Sequence, residues 1–252
     1  MRLRDFLLLG ALPLALTAGC LESDKDDDDD GGGSSDSDGD GLSDSDEADL
    51  GSDPDDEDSD GDGQNDGDEV SAGTSPTNPY SMTYAEGGYN VGSCAEPPEA
   101  GEMTGGTNGY YDTWGEGDVV ENFTMTDQYG QEVHLYSFCG QHIMLAFGAA
   151  WCGPCQDLAS ETQAIQDEYG EQGFQAIEIL IGDIQDNPPE QDDLVAWMED
   201  NGLETIPVLD DGDYAAWPYY EKDFYIPTVV HIGPDMTILA IDTTDYTPAP
   251  WL

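Results

Sequence analysis

Two cysteines separated by Gly-Pro, in the segment Trp151-Cys152-Gly153-Pro154-Cys155, are the feature that most constrains this chain. Thiols at this spacing can close a small disulfide ring and reopen it, because one thiolate attacks a partner disulfide and the other resolves the mixed disulfide. Zinc sites use the same C-x-x-C spacing, but they need two more Cys or His ligands at similar spacing. The other cysteines and the histidines are single and scattered, so the pattern favours redox chemistry over zinc.

The residues around this motif predict where it lies in a fold. The apolar run 143–148 indicates a buried strand before the motif, and the apolar positions within 158–169 recur at helical spacing after it. The motif therefore falls where a strand passes into a helix, whose unpaired N–H groups and partial positive charge stabilise a thiolate. We predict that Cys152 is the exposed nucleophile and that Cys155, in the first helical turn, is the resolving thiol.

At these residues the chain resembles a known family. Residues 122–244 resemble the thioredoxin superfamily, and within it the TlpA/ResA-type extracytoplasmic thiol–disulfide oxidoreductases. The WCGPC motif matches thioredoxin letter for letter, and Ile226-Pro227-Thr228 matches the family's proline before a strand. The resemblance implies an α/β thioredoxin-like fold, with a central mixed sheet flanked by helices and a cis Pro227 that faces the disulfide. The residues that it implies for substrate binding are Trp151, Gly153, Pro154, Ile226 and Pro227.

Three positions depart from the family pattern, the third being Ser160 in place of a helix proline. The buried acid of thioredoxin falls on Ala146, and the glutamate of TlpA-type proteins falls on Leu158, so the usual proton acceptor for Cys155 is missing. Glu178, in the apolar run 174–181, is a possible substitute. Because charged residues are seldom fully buried, a strand-end carboxylate that faces solvent is the interpretation we expect for Glu178.

The start of the chain predicts export. Two arginines precede the apolar run 6–16, which is too short to span a membrane, so residues 1–19 are predicted to be a secretory signal. The small residues before Cys20 resemble a bacterial lipobox, which implies cleavage before Cys20 and lipid on that residue. The alternative is ordinary secretion with cleavage near Ala18. The predicted location is the bacterial cell envelope outside the cytoplasm, and Leu21 after the cysteine favours the outer membrane.

An internal repeat with a period of 22 residues covers 36–47 and 58–69. Both copies fit the pattern D-x-D-x-D-G-x5-E, in which oxygens at loop positions 1, 3, 5, 7, 9 and 12 surround one Ca²⁺. The predicted side-chain ligands are Asp36, Asp38, Asp40, Asp44 and Glu47 in the first copy and Asp58, Asp60, Asp62, Asp66 and Glu69 in the second. The backbone carbonyls of Leu42 and Gln64 complete the predicted sets.

The flanks of these loops decide which kind of calcium site they predict. EF-hands place a helix on each side of the loop, whereas these flanks are rich in Gly, Asp, Ser and Pro, so no helix pair fits. The repeat resembles bacterial thrombospondin type 3 calcium repeats. It implies an irregular calcium-binding stalk over 36–79, after an acidic and glycine-rich tether at 20–35. The alternative is an acidic stalk that stays disordered.

The charge balance excludes some partners. The chain has 57 acidic residues against four basic ones, a net charge of −53. Nucleic-acid binding is excluded because nothing can neutralise phosphates, and so is charge-driven binding to an anionic membrane face. Surrounding carboxylates raise the pKa of a thiol and so disfavour its thiolate, whereas the helix N-terminus stabilises the thiolate over a shorter distance. A less stable thiolate favours the disulfide, so we expect a reducing rather than an oxidising cysteine pair.

Residues 80–121 are rich in Gly, Pro and Tyr and are predicted to form an extended lead-in that packs on the domain at 122–252. With Cys20 lipidated and the C-x-x-C pair closed, the thiols left over are Cys94 and Cys139. In an oxidising compartment we expect a structural disulfide between them. It would close a long loop and stabilise the fold by about 3–4 kcal/mol. The alternative is a second thiol relay.

Within residues 122–252, short apolar runs alternate with polar turns. The predicted strands are 123–126, 132–136, 143–148, 174–181, 206–209, 228–232 and 237–241. A helix is predicted around Leu194 and Trp197. The aromatic segment 214–220 is predicted to be core, or else a substrate lip beside Pro227. The three histidines follow strands or turns and are predicted to be structural.

Together these features predict a lipid-anchored extracytoplasmic thiol–disulfide oxidoreductase on a calcium-binding stalk. Its partners would be protein disulfide or dithiol substrates and an upstream redox partner, and it would touch the membrane only through the anchor. Ca²⁺ is expected in the stalk, and no cofactor is expected for the redox reaction. The alternative is a calcium-dependent surface or adhesion lipoprotein whose thioredoxin-fold domain is a binding module without significant redox activity.

Overall fold

Each acidic repeat ends in one short helix. The computed structural model describes residues 35–221, 223–241 and 246–252. Helix α1 spans Asp44–Leu50 and helix α2 spans Asp66–Ala72, and each ends at a glycine with positive φ whose N–H caps the helix. Within the described residues 35–79, the chain directly before each loop is not helical and a helix follows each loop only at its end, so the EF-hand helix pair is absent, as the composition of the flanks predicts.

The second repeat is fastened to the rest of the molecule. Asn78 is fully buried, and its Nδ2 donates to the carbonyl of Cys94 at 2.7 Å. A disulfide joins Cys94 to Cys139, with the two Cα atoms 5.7 Å apart. The hydroxyls of Tyr84 and Ser137 share a hydrogen bond of 2.7 Å. The second repeat is therefore linked to the sheet domain through this disulfide and the partly buried hydrogen bonds beside it.

The segment 80–121 contains a small hairpin but little other regular structure. Strand β1 (Gly106–Thr107) pairs antiparallel with strand β2 (Asp112–Thr113). Tyr89 and Trp114 are buried and belong to the main hydrophobic core. Aromatic side chains therefore hold this segment on the following domain.

A second hairpin joins β3 (Thr124–Thr126) to β4 (Glu132–His134). Strand β4 is shorter than predicted, because Leu135–Phe138 turns into a 3₁₀ helix. The N–H of Tyr136 donates to Asn122 Oδ1 at 2.9 Å instead of to a strand. A side chain thus takes the place of a ladder partner and ends the strand there.

Five strands form a central mixed sheet. They are β5 (His142–Gly148), β6 (Phe174–Leu180), β7 (Val208–Asp210), β8 (Thr228–Ile232) and β9 (Ile238–Ile241), in the spatial order β7-β6-β5-β8-β9. Strands β5, β6 and β7 are parallel, whereas β8 is antiparallel to both β5 and β9. The helices of this part are α3 (Gly153–Tyr169), α4 (Gln191–Asn201) and α5 (Trp217–Tyr220). The predicted α/β architecture, a central mixed sheet flanked by helices, is confirmed.

The core lies around the middle of this sheet. Every residue of β5, β6 and β8 is buried, and strands covered on both faces are continuous apolar runs. Strand β7 begins two residues later than predicted because Pro207 has no N–H to give to a ladder. None of the helices in the described part of the chain is long and apolar enough to span a bilayer.

Candidate functional site

Cys152 and Cys155 lie where the central strand β5 passes into α3. Cys152 is the N-cap residue of α3, and its Sγ accepts a hydrogen bond from the N–H of Cys155 at 3.2 Å. Pro154 occupies the first helical turn, where no partner is needed for its missing N–H. The two cysteines form a disulfide, with Cα atoms 5.2 Å apart. The positive end of the helix therefore points at Cys152 Sγ, where it stabilises a thiolate.

Both cysteines are buried in this disulfide state. Cys152 is 5% exposed and Cys155 is 2% exposed, so the expectation of an exposed Cys152 does not hold here. The carbonyl oxygen of Ile226 lies 3.9 Å from Cys152 Sγ and covers it. The neighbouring Trp151, in contrast, is 46% exposed. A partner therefore has to reach Cys152 along the loop that carries Ile226.

Gly148, the last residue of β5, lets Cys155 pack against the strand end. A Cβ at Gly148 would lie 3.0 Å from Cys155 Cβ and 3.4 Å from its Sγ. A Cβ at Gly153 would meet nothing within 4 Å. Gly148 is a site residue that the sequence analysis missed, although a glycine in a strand run can signal a close approach of this kind.

The loop before β8 is held in place from two sides. The Ile226–Pro227 peptide bond is cis, as the family resemblance implies. The Thr228 hydroxyl donates to Glu221 Oε2 at 2.8 Å and accepts a hydrogen bond from Trp217 Nε1 at 3.2 Å. These contacts fix the loop to Trp217 of α5 and to Glu221, which directly follows α5.

Glu178 is a buried acid in the middle of the sheet. It is 3% exposed, and the Thr162 hydroxyl donates to its Oε1 at 2.8 Å. The expectation of a carboxylate facing solvent is wrong, because β6 lies between β5 and β7 with α3 packed on it. Burial raises the pKa of Glu178 to about 7, against the opposing influence of Thr162 and Trp197. The Trp197 Nε1 has no well-aligned hydrogen-bond partner among the described residues, so Thr162 is the firmer of the two contacts.

Glu178 lies on the side of α3 that also carries Cys155. It is in register with Ala146, two residues before the end of β5. Its partner Thr162 is seven residues after Cys155 on α3, which places both on one face of the helix about 10 Å apart along the axis. The buried acid thus lies on the same side of α3 as the resolving cysteine.

The aspartates at the start of each acidic repeat converge. Carboxylate oxygens lie within 4.8 Å of one another in two groups, Asp36, Asp38 and Asp40 and then Asp58, Asp60 and Asp62. Carboxylates this close repel one another unless a cation lies among them. Each group therefore offers several oxygens to one ion.

Glu47 and Glu69 occupy the last predicted ligand position of each loop. Their surroundings give the strongest indication that a cation binds there. Both side chains are fully buried, and none of their carboxylate oxygens has a hydrogen-bond partner among the described residues. Burial and the nearby aspartates raise the pKa of Glu47 to about 7 and that of Glu69 to about 8. One oxygen each of Asp38 and Asp60 is also buried and unpaired. Because such oxygens are costly to bury alone, these residues fit a cation in each loop.

Asp44 and Asp66 lie outside the two groups of converging aspartates, and a serine holds each of their carboxylates. The N–H and the hydroxyl of Ser37 donate to the two oxygens of Asp44, at 2.9 and 3.0 Å. Ser59 does the same for Asp66, at 2.9 and 2.6 Å. Their separation from the converging groups favours contact with an ion through water, which is common at this loop position, over the direct ligation that we predicted.

One ligand position also joins the two repeats. The N–H group of Leu42 donates to Asp40 Oδ1 and that of Gln64 donates to Asp62 Oδ1, each at 2.7 Å. These hydrogen bonds turn each loop at the residue whose carbonyl is a predicted ligand. Those carbonyl contacts stay a prediction. The other oxygen of Asp40 accepts the N–H of Gly67 at 2.7 Å. The second repeat thus packs against a ligand of the first.

Two family models match separate parts of the chain. Residues 117–241 match the AhpC/TSA family, and residues 36–56 and 58–79 match the bacterial TSP3 repeat. We call residues 117–241 the AhpC/TSA-family domain, after the family model that they match. The predicted resemblances to the thioredoxin superfamily and to thrombospondin type 3 repeats are confirmed, and the family supports the assignment of the domain as an oxidoreductase.

Solved structures similar to this chain cover about half of its sequence. The thioredoxin domain of a thiol-disulfide oxidoreductase from Bacteroides vulgatus is 18% identical, with coverage of 52% of this chain and 90% of its own and a TM-score of 0.44. Peroxidoxin BcpB from Mycobacterium tuberculosis is 19% identical, with coverage of 52% and 87% and a TM-score of 0.43. A secreted disulfide oxidoreductase from Mycobacterium tuberculosis is 18% identical, with coverage of 50% and 86% and a TM-score of 0.40. These similarities concern the fold.

The AhpC/TSA-family domain also contains a histidine pair that the sequence analysis missed. His142 Nε2 and His231 Nδ1 are 3.2 Å apart, both rings are buried, and Trp251 stacks on them. Burial and the neighbouring ring lower the pKa of His142 to about 4. The histidines are predicted to follow strands or turns, whereas His142 and His231 lie within β5 and β8, which bring together residues far apart in sequence. The predicted signal segment 1–19, Cys20 and most of the tether 20–35 lie outside the described residues.

Proposed function

We propose that the AhpC/TSA-family domain is a thiol–disulfide oxidoreductase that reduces protein disulfides outside the cytoplasm. The observation that carries this proposal is the position of Cys152 Sγ at the N-cap of α3, with the hydrogen bond of 3.2 Å from the Cys155 N–H. A sulfur held there is favoured as a thiolate and can attack a disulfide. The residues that would touch the substrate chain are Trp151, Gly153, Pro154, Ile226 and Pro227.

The exchange proceeds in two steps. In the reduced protein, the Cys152 thiolate attacks one sulfur of the substrate disulfide, so that a Cys152–substrate bond forms, the substrate bond breaks and the leaving thiolate takes a proton from water. Cys155 then loses its proton and attacks Cys152 Sγ, which closes the ring and releases the second substrate thiol. The substrate gains two electrons and two protons in all. A dithiol partner upstream reduces the ring again.

Glu178 would take part as the acceptor of the Cys155 proton. Its pKa of about 7 lets it accept and release a proton near neutral pH. It lies along the same face of α3 as Cys155, about two turns away, so water would complete the path. The Thr162 hydroxyl, at 2.8 Å from Oε1, would orient the carboxylate for this role.

The two TSP3 repeats would bind Ca²⁺ and stiffen the stalk. The direct side-chain ligands we propose are Asp36, Asp38, Asp40 and Glu47 in the first loop and Asp58, Asp60, Asp62 and Glu69 in the second. The unpaired, buried oxygens of the two glutamates support this. When bound, the ion supplies positive charge, and the carboxylates then stay together without mutual repulsion.

The proposed location is the extracytoplasmic face of a bacterial envelope, with a lipid on Cys20 as the anchor. The sequence pattern at residues 1–20 supports this. The disulfide between Cys94 and Cys139 also supports an oxidising compartment. Labelling of the expressed protein with a radioactive or clickable fatty acid tests the anchor, and Cys20→Ser should abolish the label.

Reduction of insulin disulfides by the dithiol-regenerated protein tests the activity. We expect Cys152→Ser to abolish it and Cys155→Ser to trap substrates as mixed disulfides. The matched control is Cys94→Ser with Cys139→Ser, which removes the other cysteine pair and should retain the activity. A folded wild-type protein that fails to exchange with any dithiol would favour the alternative, a calcium-dependent surface or adhesion lipoprotein with a thioredoxin-fold binding module.

A further inference from the structure

Four aromatic side chains form a continuous row near the disulfide. The ring of Tyr110 lies 6.0 Å from that of Phe224, Phe224 lies 5.7 Å from Trp217, and Trp217 lies 5.8 Å from Tyr214. We call these four residues the aromatic row. Tyr110 is 82% exposed, and Phe224 and Tyr214 are also exposed. Aromatic surface that is left together in water in this way marks an interaction site.

The aromatic row is continuous with the reactive sulfur. Phe224 is two residues before Ile226, whose carbonyl lies 3.9 Å from Cys152 Sγ. Two residues span at most about 7 Å, so Phe224 is close to that contact. Trp217 is attached to the same loop, because its Nε1 donates to the Thr228 hydroxyl at 3.2 Å. A polypeptide whose cysteine is joined to Cys152 would therefore place its neighbouring residues along the row.

Tyr110 comes from the hairpin of β1 and β2, which is fixed to α5. Asn108 Nδ2 donates to the carbonyls of Pro218 and Glu221, at 2.8 and 3.1 Å. Asn108 Oδ1 accepts the N–H groups of Tyr110 and Tyr111, at 3.1 and 2.9 Å. The Asn108 side chain therefore holds the tip of the hairpin against α5 and Glu221. The hairpin lies before residue 117, where the family match begins, so this part of the row is an addition to the matched domain.

The charges around the aromatic row select what can dock there. Exposed carboxylates come directly before two of its members, Asp213 before Tyr214 and Asp223 before Phe224, within a chain of net charge −53. No basic side chain of the described residues adjoins the row in sequence, and Lys222 lies outside them. A cation is attracted both to aromatic faces and to nearby carboxylates. Arginine suits such a surface best, because its planar group also stacks on rings.

We propose that the aromatic row is a docking surface for client polypeptides that carry arginine or lysine within a few residues of the reactive cysteine. This inference rests on the proposed function, since it names the substrate class of the same cysteine pair. Acidic clients would be repelled by the same carboxylates.

Exchange kinetics with matched substrates test this inference. The probes are two disulfide-linked peptides of equal length, one with arginines and one with glutamates beside the cysteine, and hydroxyethyl disulfide as a small neutral disulfide. With the full, reduced chain we expect kcat/KM for the arginine peptide to exceed that for the glutamate peptide by about tenfold at low salt, with a smaller ratio at high salt. Tyr110→Ala should lower kcat/KM for the arginine peptide about threefold to fivefold and leave the neutral disulfide unchanged.

The matched control is Tyr129→Ala, an exposed tyrosine in the turn between β3 and β4, which should change neither substrate. Equal rates for the two peptides, or equal effects of Tyr110→Ala and Tyr129→Ala, would overturn the docking surface while the activity on hydroxyethyl disulfide still supports the oxidoreductase. If the wild-type protein reduces none of the three probes, the proposed function itself fails and the docking surface with it.

Discussion

Ala146 and Glu178 are paired in register across β5 and β6. The position at which thioredoxin has its buried acid is therefore occupied by alanine, and a buried acid stands beside it on the next strand. The Thr162 hydroxyl holds that acid at 2.8 Å. The buried titratable group is thus one strand away from the thioredoxin position and still packs against α3.

The first prediction concerns stability. The pKa of Glu178 is raised from 4.5 to about 7 in the folded protein, so the unfolded chain releases this proton first as the pH rises. The contribution of Glu178 to the free energy of unfolding should therefore fall between about pH 4.5 and pH 7, by about 3 kcal/mol in total, and stay constant above pH 7. Glu178→Gln removes this fall, which urea unfolding across the pH range measures as a difference from wild type.

The matched control for this measurement is Glu161→Gln, an exposed glutamate on α3. The difference between this variant and wild type should stay near zero at every pH, because the exposed side chain is in contact with water in the folded and the unfolded chain alike. A difference curve for Glu178→Gln as flat as that of Glu161→Gln would contradict the burial of the acid.

The second prediction concerns the resolving step. Glu178→Gln keeps the shape of the side chain but cannot accept the Cys155 proton, so the mixed disulfide should persist longer. A positioned general base contributes about a hundredfold or more to a proton transfer, and we expect a loss of at least about tenfold in the resolution rate at neutral pH. Rapid-quench trapping of the mixed disulfide measures the rate. An unchanged rate would exclude Glu178 as the acceptor.

The sequence was sufficient for the parts of the site that depend on local spacing. The cysteine motif predicts its own place at the start of α3, since the apolar run before it and the helical pattern after it are both local. The burial of Glu178 could not be predicted in this way, because it depends on β7 and α3 covering β6. The same holds for Asn108, whose two carbonyl partners are more than 100 residues later in the chain.

The third prediction concerns the glycine at the end of β5. Gly148→Ala would place a methyl group 3.0 Å from Cys155 Cβ, so Cys155 has to shift by a few tenths of an ångström. We expect a loss of about 1–3 kcal/mol in the free energy of unfolding of the oxidised protein and slower closure of the ring. Thermal unfolding and the rate of oxidation by a small disulfide measure the two effects. Gly153→Ala, which meets nothing within 4 Å, should cause neither.

The fourth prediction concerns the acidic repeats. Ca²⁺ that binds only the folded loops should raise the free energy of unfolding, by about 2.7 kcal/mol for each site at a free concentration one hundred times its dissociation constant. Glu69→Gln should weaken the effect by removing a buried ligand, whereas Glu57→Gln, an exposed residue between the loops, should not. Thermal unfolding with added Ca²⁺ and with a chelator measures this. The same melting temperature in both would contradict a cation in the loops.

The acidic repeats also show where a pattern stops being informative. The loop pattern assigned the same role to all five carboxylates of a copy, because it contains only spacing. The structure separates Asp44 and Asp66 from the other aspartates, since those converge in two groups of three while Asp44 and Asp66 are held by Ser37 and Ser59. Those serines follow the first aspartate of each loop and lie outside the ligand pattern, so spacing alone could not reveal the difference.

The last prediction compares the two disulfides. The bridge from Cys94 to Cys139 spans 45 positions, whereas Cys152 and Cys155 are three apart. In the chain-entropy model the long loop stabilises the fold by about 4 kcal/mol and the short ring by about 2 kcal/mol. Replacing Cys94 and Cys139 by serine should therefore cost about twice as much unfolding free energy as replacing the other pair, yet leave disulfide reduction intact. Guanidinium unfolding of the two double variants under oxidising conditions measures this, and equal losses would show that loop length does not decide the contribution of these bridges.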